Sequence, residues 1–353
     1  MLEFAQEYTR KTPAARRPAL PMDRLEALDA WLAAALAGRA FSRAPASADA
    51  SFRRYFRVAC EGRTWIVMDA PPEREDSRPF VRIAGLLREA GVHVPAIVAQ
   101  DLSQGFLLLT DLGPQTYLQA IQAGHADPAA LFADAREALV RWQLASREGV
   151  LPPYDEATLR REVELFPDWY LARHRGITLA AAERAELDAV FARVLAANLA
   201  QPRVYVHRDF MPRNLMVSAP NPGVLDFQDA LHGPVSYDIA CLYRDAYLSW
   251  DEEVVLDGTI RYWELARSKG LPVPADFADF WRDVEWMGLQ RHLKVAGIFA
   301  RLRHRDGKAG YVEDTPRFLA YLRHTCARYR ELAPLLRLLD RVEGHESRAG
   351  YTF

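Results

Sequence analysis

Residues 207–214 read HRDFMPRN, and a short way downstream residues 224–227 read VLDF. In this pattern Asp209 can accept the proton of an acceptor hydroxyl, while Asn214 and Asp226 can each hold a Mg²⁺ ion. Phosphoryl transfer requires this division of labour, because the protein mainly positions two reactants and neutralises charge. The two stretches therefore predict a Mg²⁺-dependent phosphotransferase with Asp209 as its catalytic base.

Two other interpretations of the same residues stay open. The first stretch can be a chance loop in a helical protein, although the order, spacing and strand context of both stretches argue against chance. His207 and Asp209 can also be interpreted as part of a zinc site, but a third soft or imidazole ligand at helical spacing is missing. We favour phosphoryl transfer over both.

The bulk composition favours a two-lobed protein without a large charged partner. Half of the 353 residues are hydrophobic, so the chain can bury a large core. The net charge of −2 and the isoelectric point near 6.5 provide no basic field for nucleic acid or an anionic membrane. Three widely spaced cysteines suit reduced thiols, and the sequence shows neither a bilayer-spanning apolar run nor a secretory signal. We expect a cytoplasmic protein and a monomer.

The first part of the chain predicts a small antiparallel sheet with one inserted helix. Residues 1–21 are polar and interrupted by three prolines, which predicts a loosely ordered tail, and Met22 can be the natural start. Apolar spacing from Asp23 predicts a first helix. Turn signals and strand-like runs then predict a hairpin, a helix and two more strands. The hairpin is predicted at 52–59 and 64–69, the helix at 80–90, and the strands at 96–100 and 106–110.

After residue 113 the pattern is mostly helical, and Gly113-Pro114 is the predicted hinge between two lobes. The N-lobe, residues 22–112, is expected to bind the nucleotide. The C-lobe, residues 113–353, is expected to carry the catalytic loop and the substrate site. Helices are predicted at 114–123, 127–146, 155–174, 180–199, 237–249, 252–269, 276–304 and 314–340, with short strands at 204–206, 215–217 and 223–225.

The catalytic stretches also carry a resemblance to a known family. Together with Gly233-Pro234 and Asp238-Ile239-Ala240, they resemble the aminoglycoside phosphotransferase and choline kinase group. The resemblance implies an α+β, bilobal protein-kinase-like fold with a small antiparallel-sheet N-lobe and a mostly helical C-lobe. It implies ATP and Mg²⁺ as cofactors. It assigns Asp209 as catalytic base, Asn214 and Asp226 as metal ligands, and Asp238 as a brace for the catalytic loop.

Further stretches narrow the resemblance to anomeric amino-sugar kinases. Residues 50–58 read ASFRRYFRV, residues 66–72 read IVMDAPP, and residues 290–294 read QRHLK. They are similar to bacterial cytoplasmic enzymes that phosphorylate N-acetylmuramate and N-acetylglucosamine at the C1 hydroxyl during peptidoglycan recycling. The resemblance therefore implies a small-molecule sugar as the acceptor.

One departure from the kinase pattern concerns the phosphates of the nucleotide. The strand that normally supplies a phosphate-binding lysine reads IVMD at residues 66–69, and a glycine-rich phosphate loop is missing. The charge must be met by Mg²⁺, by backbone N–H groups near Ala50 and Ser51, or by arginine. In a strand Arg53 shares a face with Ser51, Tyr55 and Arg57. Arg53 is the preferred substitute for the lysine.

The adenine base is expected against residues 109–112, with contacts from Leu109, Thr110 and Leu112. Arg208 and Arg213 flank the catalytic base in sequence. The loop can hold these arginines near the transferred phosphoryl group or near the acidic residues that brace the loop.

Five residues outside the loop are candidates for contacting the acceptor. Trp169 can stack on the apolar face of a sugar ring, although an aromatic residue at helical spacing is more often part of the core. Asp229 can orient the sugar or cap a turn. Arg291, His292 and Lys294 can pair with the lactyl carboxylate of N-acetylmuramate, or they can be a solvated helix face and a core histidine.

Two alternative functions stay open. Another small alcohol, such as an aminoglycoside, choline or a homoserine-like compound, can be the acceptor; a polycationic drug calls for an acidic site and a muramate for a basic one. The missing lysine is also compatible with a catalytically silent nucleotide-binding module. The presence of the base and of both metal ligands argues against a silent module.

Overall fold

The structure is a computed structural model that describes residues 22–47 and 52–344. The predicted tail at residues 1–21 and the predicted phosphate contacts at Ala50 and Ser51 lie outside the described residues. Helix α1 spans Met22–Ala35. It buries Leu28 and Leu32 against one face of the first sheet. Each fully buried leucine stabilises the fold by roughly 1.5–3 kcal/mol relative to exposure.

Five antiparallel strands form this sheet in the order β1-β2-β3-β5-β4. The turn between β2 and β3 runs through Glu61 and Gly62, both at positive φ, and confirms the predicted hairpin. The pattern analysis missed β1, because its Ala, Pro and Ser residues do not alternate between apolar and polar types. The strands are β1 Ser42–Ser47, β2 Arg54–Cys60, β3 Arg63–Asp69, β4 Ile97–Asp101 and β5 Phe106–Thr110.

Helix α2, Arg78–Glu89, is inserted between β3 and β4 as predicted. Its buried face, which includes Phe80, Ile83 and Leu87, has the three-to-four spacing of an amphipathic helix. These side chains join the main core, which continues into the helical part of the chain. The helix thereby links the sheet to the remainder of the molecule.

The remainder of the described chain is mostly helical and contains two small two-stranded sheets. The helices are α3 Tyr117–Gln122, α4 Pro128–Leu144, α5 Glu156–Val163, α6 Ala181–Ala200, α7 Tyr237–Tyr243, α8 Glu252–Ser268, α9 Phe277–His304, α10 Thr315–Arg328 and α11 Ala333–Glu343. The short strands are β6 Arg203–Val206, β7 Leu215–Met216, β8 Gly223–Val224 and β9 Leu231–Pro234. In the described part of the chain, none of the helices combines the length and apolar character needed to cross a bilayer.

Two of the predicted helices are divided in the structure. The one expected at 155–174 becomes α5 and a wider π-helical segment, Phe166–His174, with Pro167 at its start. Proline lacks the N–H group that would continue the α-helical hydrogen bonding. The one expected at 314–340 is divided into α10 and α11, with an extended Tyr329 between them. Apolar spacing continues across both breaks, so it did not reveal them.

Helix α9 passes through the middle of the helical part and packs against the π-helical segment, α5, α6, α7 and α10. Close approach to the π-helical segment requires glycine at position 297, because a Cβ there would lie 2.3 Å from the carbonyl carbon of Leu165. Residues on every side of α9 are buried. This central position determines what its polar residues can contact.

Candidate active site

The catalytic loop follows β6, and Asp238 at the start of α7 holds the first part of its backbone. The Asp238 carboxylate accepts hydrogen bonds from the backbone N–H of His207, at 2.7 Å, and of Arg208, at 2.9 Å. Burial raises the pKa of Asp238 to about 7, although these two hydrogen bonds favour the charged form. Arg208 has φ +79°, a left-handed conformation that is strained for a side-chain-bearing residue. The brace stabilises this conformation and orients Asp209, which follows.

The loop brings Asp209, Asn214 and Asp226 together. The Asn214 Nδ2 atom donates to the backbone carbonyl of Asp209 at 2.9 Å and lies 3.4 Å from Asp226 Oδ2. Asp226 has φ +61° directly after the strand pair β7–β8, and Leu225 N–H donates to the Asn214 carbonyl at 2.9 Å. The Asn214 amide nitrogen is committed to the loop, which leaves its oxygen available to a cation. An amide oxygen and a carboxylate are ligands that suit Mg²⁺.

His207 is buried next to Asp209 and does not form a zinc centre with it. Burial lowers the pKa of His207 to about 4, and its Nδ1 atom accepts the Asp209 N–H at 3.3 Å. Among the described residues, the group of three potential ligands is Glu252, Glu285 and His324, which does not include His207. Arg328 forms ion pairs with both of those glutamates, and Arg244 forms a second ion pair with Glu285. The zinc interpretation therefore has no support in the described residues.

A cavity of about 470 Å³ opens between the first sheet and the catalytic loop. Leu109, Thr110 and Leu112, the residues predicted to contact adenine, are among those that line it, and so are Asn214 and Asp226. Thr110 Oγ1 accepts the Ala96 N–H at 2.8 Å, so this hydroxyl stabilises the wall of the cavity. The lining thus combines residues of the predicted hinge with the two proposed metal ligands.

Arg57 lines the cavity and connects β2 to the predicted hinge, a role that the sequence analysis did not assign to it. Its Nε and Nη2 atoms donate to the Asp111 carboxylate at 2.7 and 3.1 Å, and Nη2 also donates to the Gly113 carbonyl at 2.8 Å. Burial opposes ionisation of Asp111, but the Arg57 hydrogen bonds hold its pKa below the ordinary value. The predicted shared strand face of Tyr55 and Arg57 was the signal that could have identified it.

Arg53, the preferred substitute for the missing lysine, lies elsewhere. Its Nη2 atom is 3.2 Å from Glu75 Oε2 in an ion pair just before α2, and both side chains are largely buried. Arg53 is not among the residues that line the cavity. The alternation along the strand placed it on the correct face, but a partner from another segment determines where its guanidinium lies.

Arg213, which directly precedes Asn214 in the chain, is the second arginine among the described residues that line the cavity. Its Nη1 atom donates to the Tyr247 hydroxyl at 2.7 Å, and its guanidinium carbon lies 5.2 Å from the centre of the Tyr247 ring. Tyr247 also lines the cavity and follows α7 in the chain. The sequence analysis did not identify Tyr247, because nothing local relates it to the catalytic loop.

Glu162 on α5 is the centre of a buried polar network below the catalytic loop. Its carboxylate accepts from Arg208 Nη2 at 2.5 Å, from Gln290 Nε2 at 3.0 Å and from the Tyr154 hydroxyl, and it lies 3.1 Å from Lys294 Nζ. Burial opposes ionisation of Glu162, but Lys294 and Arg208 outweigh it and lower its pKa to about 2. The network joins α5, α9 and the catalytic loop.

The acceptor contacts predicted on α9 lie in the interior. Arg291 is 2% exposed and donates to the Arg244 carbonyl at 3.5 Å and to the Met211 sulfur at 3.7 Å. His292 is 0% exposed, lies 3.2 Å from the same carbonyl and stacks on Tyr321. Lys294 belongs to the Glu162 network. Because α9 is enclosed by other segments, these three residues are buried, which corrects the expectation of an open basic face. Arg291 contacts the loop at Met211, and Lys294 is connected to it through Glu162.

The two remaining acceptor candidates are placed differently. Trp169 is half-buried and packs against the main core. Asp229 is exposed, and its carbonyl oxygen accepts from Arg208 Nη1 at 3.4 Å, so its backbone lies beside the catalytic loop. Of the five predicted acceptor contacts, Asp229 is the exposed one that lies next to the loop.

Comparisons with known proteins agree with this arrangement. The chain is 59% identical over 295 residues to the N-acetylmuramate/N-acetylglucosamine kinase of Pseudomonas aeruginosa, covering 84% of this chain and 87% of that protein. It is 49% identical over 336 residues to the protein of the same name from Neisseria meningitidis serogroup B, covering 94% of this chain and 100% of that protein.

Solved structures share the fold at low sequence identity. An ADP-bound aminoglycoside phosphotransferase, APH(2'')-Ib, has a TM-score of 0.55 at 14% identity, covering 86% of this chain and 98% of that chain. A choline/ethanolamine kinase family protein from Mesorhizobium loti has a TM-score of 0.61 at 15% identity, covering 90% of this chain and 99% of that chain. Both confirm the protein-kinase-like fold. A family model described as the phosphotransferase enzyme family matches residues 42–279, and the chain therefore belongs to that family.

Proposed function

We propose that this protein is an ATP-dependent kinase that phosphorylates the C1 hydroxyl of N-acetylmuramate or N-acetylglucosamine, in cell-wall recycling. The observation that carries the proposal is that Asn214 and Asp226 both line the cavity, while the Asn214 side chain also holds the backbone of Asp209. The acceptor is inferred from relatives named N-acetylmuramate/N-acetylglucosamine kinase, which are 49–59% identical over most of the chain. The catalytic residues explain the transfer, and the relatives specify the sugar.

In this proposal the nucleotide lies along the cavity, with its base against residues 109–112 and its phosphates toward Asn214 and Asp226. Asn214 Oδ1 and the Asp226 carboxylate are the atoms that would hold Mg²⁺, which neutralises phosphate charge when bound. The base would contact Leu109 and Leu112 and lie near the Arg57 guanidinium, and guanidinium groups interact favourably with aromatic faces. The boundary at residues 112 and 113 is the proposed hinge between the nucleotide-binding and catalytic lobes.

Asp209 is proposed to orient the anomeric hydroxyl and to accept its proton as the oxygen attacks the γ-phosphoryl group. The position of the carboxylate depends on two neighbours. Asn214 holds the Asp209 carbonyl, and Asp238 holds the N–H groups of the two preceding residues. Both contacts fix the backbone before substrate arrives, which reduces the reorganisation required for transfer. The exposed carboxylate of Asp229 is available to bind a sugar hydroxyl.

Acceptors of other families are the second possibility within the same chemistry. The related folds include proteins named for aminoglycosides, choline and ethanolamine, at 12–15% identity. That level of identity supports the fold and says nothing about the acceptor. A silent nucleotide-binding module is disfavoured, because the catalytic base and both proposed metal ligands occur together. Location in the cytoplasm and the monomeric state stay predictions of the sequence.

The direct experiment is incubation with Mg-ATP and a panel of amino sugars, choline and an aminoglycoside, followed by phosphorus NMR. A sugar 1-phosphate signal is expected with N-acetylmuramate or N-acetylglucosamine. Replacement of Asp209 by Asn should reduce turnover by roughly 10²-fold or more while nucleotide affinity stays nearly constant. A product with a different acceptor only, or full activity of the Asp209→Asn variant, would contradict the proposal.

A further inference from the structure

The strand that normally carries a phosphate-binding lysine has none, and Arg53 is paired away from the cavity. We propose that Arg213 contacts the phosphate chain of the nucleotide and that Tyr247 positions the Arg213 guanidinium. The cation that meets the phosphates therefore comes from the catalytic loop instead of the first sheet. This inference rests on the proposed ATP-dependent function.

Among the described residues, the two arginines that line the cavity belong to different segments. Arg57 is held at the predicted hinge by the Asp111 carboxylate and the Gly113 carbonyl. Arg213 lies four residues after Asp209 and directly before Asn214, one of the proposed metal ligands. Mg²⁺ held by those ligands would bring the phosphates next to this turn. Arg213 is thus the arginine of this pair that would lie beside the phosphates.

The backbone at Arg213 is well constrained. It occupies the middle of a short 3₁₀ turn, Pro212–Asn214, whose first residue has a fixed φ angle. The turn is tied to the loop, since Asn214 N–H donates to the Met211 carbonyl at 2.8 Å and the Asn214 side chain donates to the Asp209 carbonyl. An arginine on this turn keeps a constant relation to the base and the metal ligands. Transfer requires such a constant relation between cation and phosphoryl group.

Tyr247 contributes orientation. Its hydroxyl accepts from Arg213 Nη1 at 2.7 Å, while its ring faces the guanidinium carbon at 5.2 Å. The hydroxyl and the ring of Tyr247 both contact the guanidinium, so Tyr247 restricts where the guanidinium lies. The forked donors of arginine match the oxygens of a phosphate, and charge-assisted bonds of this kind are stronger than neutral ones.

Tyr247 also connects this contact to another part of the molecule. Its side chain packs against a small hydrophobic cluster that contains Ala246, Phe299 and Phe318. That cluster joins the segment after α7 to α9 and α10. Tyr247 therefore has independent support, and its hydroxyl can be removed without loss of this packing.

The lysines among the described residues do not provide an alternative in the cavity. Lys294 is committed to Glu162 at 3.1 Å and to the Tyr237 hydroxyl at 3.2 Å. Lys269 and Lys308 do not line the cavity. Of the basic side chains that line the cavity in the described part of the chain, Arg213 is the one nearest in sequence to the proposed base and metal ligands.

The test separates contacts with phosphate from contacts with the base. The purified full chain is assayed with Mg-ATP and amino sugar, and two competitive inhibitors are titrated: tripolyphosphate, which lacks a base, and adenosine, which lacks phosphates. The variants are Arg213→Gln, Arg213→Lys and Tyr247→Phe. Arg53→Ala represents the competing assignment. Arg261→Ala, an exposed arginine of α8 paired with Asp257, is the matched control.

Arg213→Gln should raise the inhibition constant of tripolyphosphate by roughly tenfold to a hundredfold, because a charge-assisted contact is lost. The inhibition constant of adenosine should change by less than about twofold. Arg213→Lys should recover part of the loss, and Tyr247→Phe should cause a smaller increase for tripolyphosphate alone. Arg261→Ala should match the unmodified protein in both titrations. Arg213→Gln removes the charge but keeps a polar side chain, and its thermal midpoint reports whether it is folded.

The inference is overturned if tripolyphosphate binds Arg213→Gln and Arg213→Lys as tightly as it binds the unmodified protein. It is also overturned if Arg53→Ala causes the larger loss, or if adenosine and tripolyphosphate weaken equally. Failure of the proposed function is distinguishable, since it would leave the unmodified protein unable to transfer phosphate to an amino sugar. The nucleotide-binding arms remain measurable in that case by direct titration.

Discussion

Glu162 Oε1 lies 2.5 Å from Nη2 of Arg208, the residue that precedes the proposed catalytic base. The same carboxylate also lies 3.1 Å from Lys294 Nζ, and both cations are largely withdrawn from solvent. A single acidic side chain from α5 is therefore shared by two buried cations on separate segments. The conformation of the catalytic loop depends on this carboxylate, although Glu162 has no place in the catalytic motif.

Replacement of Glu162 by Gln should destabilise the protein strongly. Removing one partner of a buried ion pair leaves an uncompensated charge and costs about 3–5 kcal/mol. The free energy of unfolding in urea measures the loss. Asp257→Asn, on an exposed pair with Arg261, is the control and should change stability little. Equal effects of the two substitutions would show that the Glu162 network does not hold the loop.

His207 predicts a specific dependence of stability on pH. Burial lowers its pKa from the ordinary 6.5 to about 4, so the unfolded chain binds more protons between these values. The contribution of His207 is therefore complete above pH 6.5 and is lost as the pH falls toward 4, at up to about 1.4 kcal/mol per pH unit.

The measurement for His207 is the unfolding free energy across pH 7 to pH 4.5, compared with His207→Asn. Asparagine keeps an oxygen that can accept the Asp209 N–H, but it does not titrate. The two stability curves should converge as the pH falls. Parallel curves across this range would contradict the assignment.

Two glycines in helices predict opposite effects of the same substitution. At Gly297 on α9 a Cβ would lie 2.3–2.5 Å from atoms of Leu165, two of them in the backbone, so Gly297→Ala should cost about 1–3 kcal/mol or more. At Gly85 on α2 a Cβ meets nothing within 4 Å, so Gly85→Ala should add about 0.5–1 kcal/mol. Denaturant unfolding of both variants measures the pair. Changes of the same sign would exclude the packing described between α9 and the π-helical segment.

Asp226→Asn should increase the concentration of Mg²⁺ required for half-maximal activity and lower the maximal rate. The carboxylate charge is lost, while asparagine tolerates the left-handed backbone at this position. Activity is measured against free Mg²⁺ at saturating ATP. Asp229→Asn, three residues away and exposed, is the comparison and should alter the KM for the sugar without altering the Mg²⁺ requirement. An unchanged Mg²⁺ requirement in Asp226→Asn would remove Asp226 from the metal site.

Local patterns predicted the β2–β3 hairpin, α2 and the helical character of the chain after residue 113, because alternation and helical spacing act over a few residues. They missed β1, whose Ala, Pro and Ser residues become a strand by pairing with β2. They also missed the breaks in two helices, where apolar spacing continues. Strand pairing and helix division depend on neighbours that are distant in sequence.

In the candidate site, too, some features follow from local sequence and others from contacts between distant residues. The sequence by itself determined the chemistry: the order and spacing of Asp209, Asn214 and Asp226 specify a base and two oxygen ligands wherever the loop lies. Only the tertiary structure decided which cations reach the cleft. Arg53 is drawn to Glu75, Lys294 to Glu162, and Arg57 and Arg213 remain at the cavity. The physical reason is that the position of a long charged side chain is set by its partner, and partners such as Arg208 and Glu162 lie 46 positions apart in the chain.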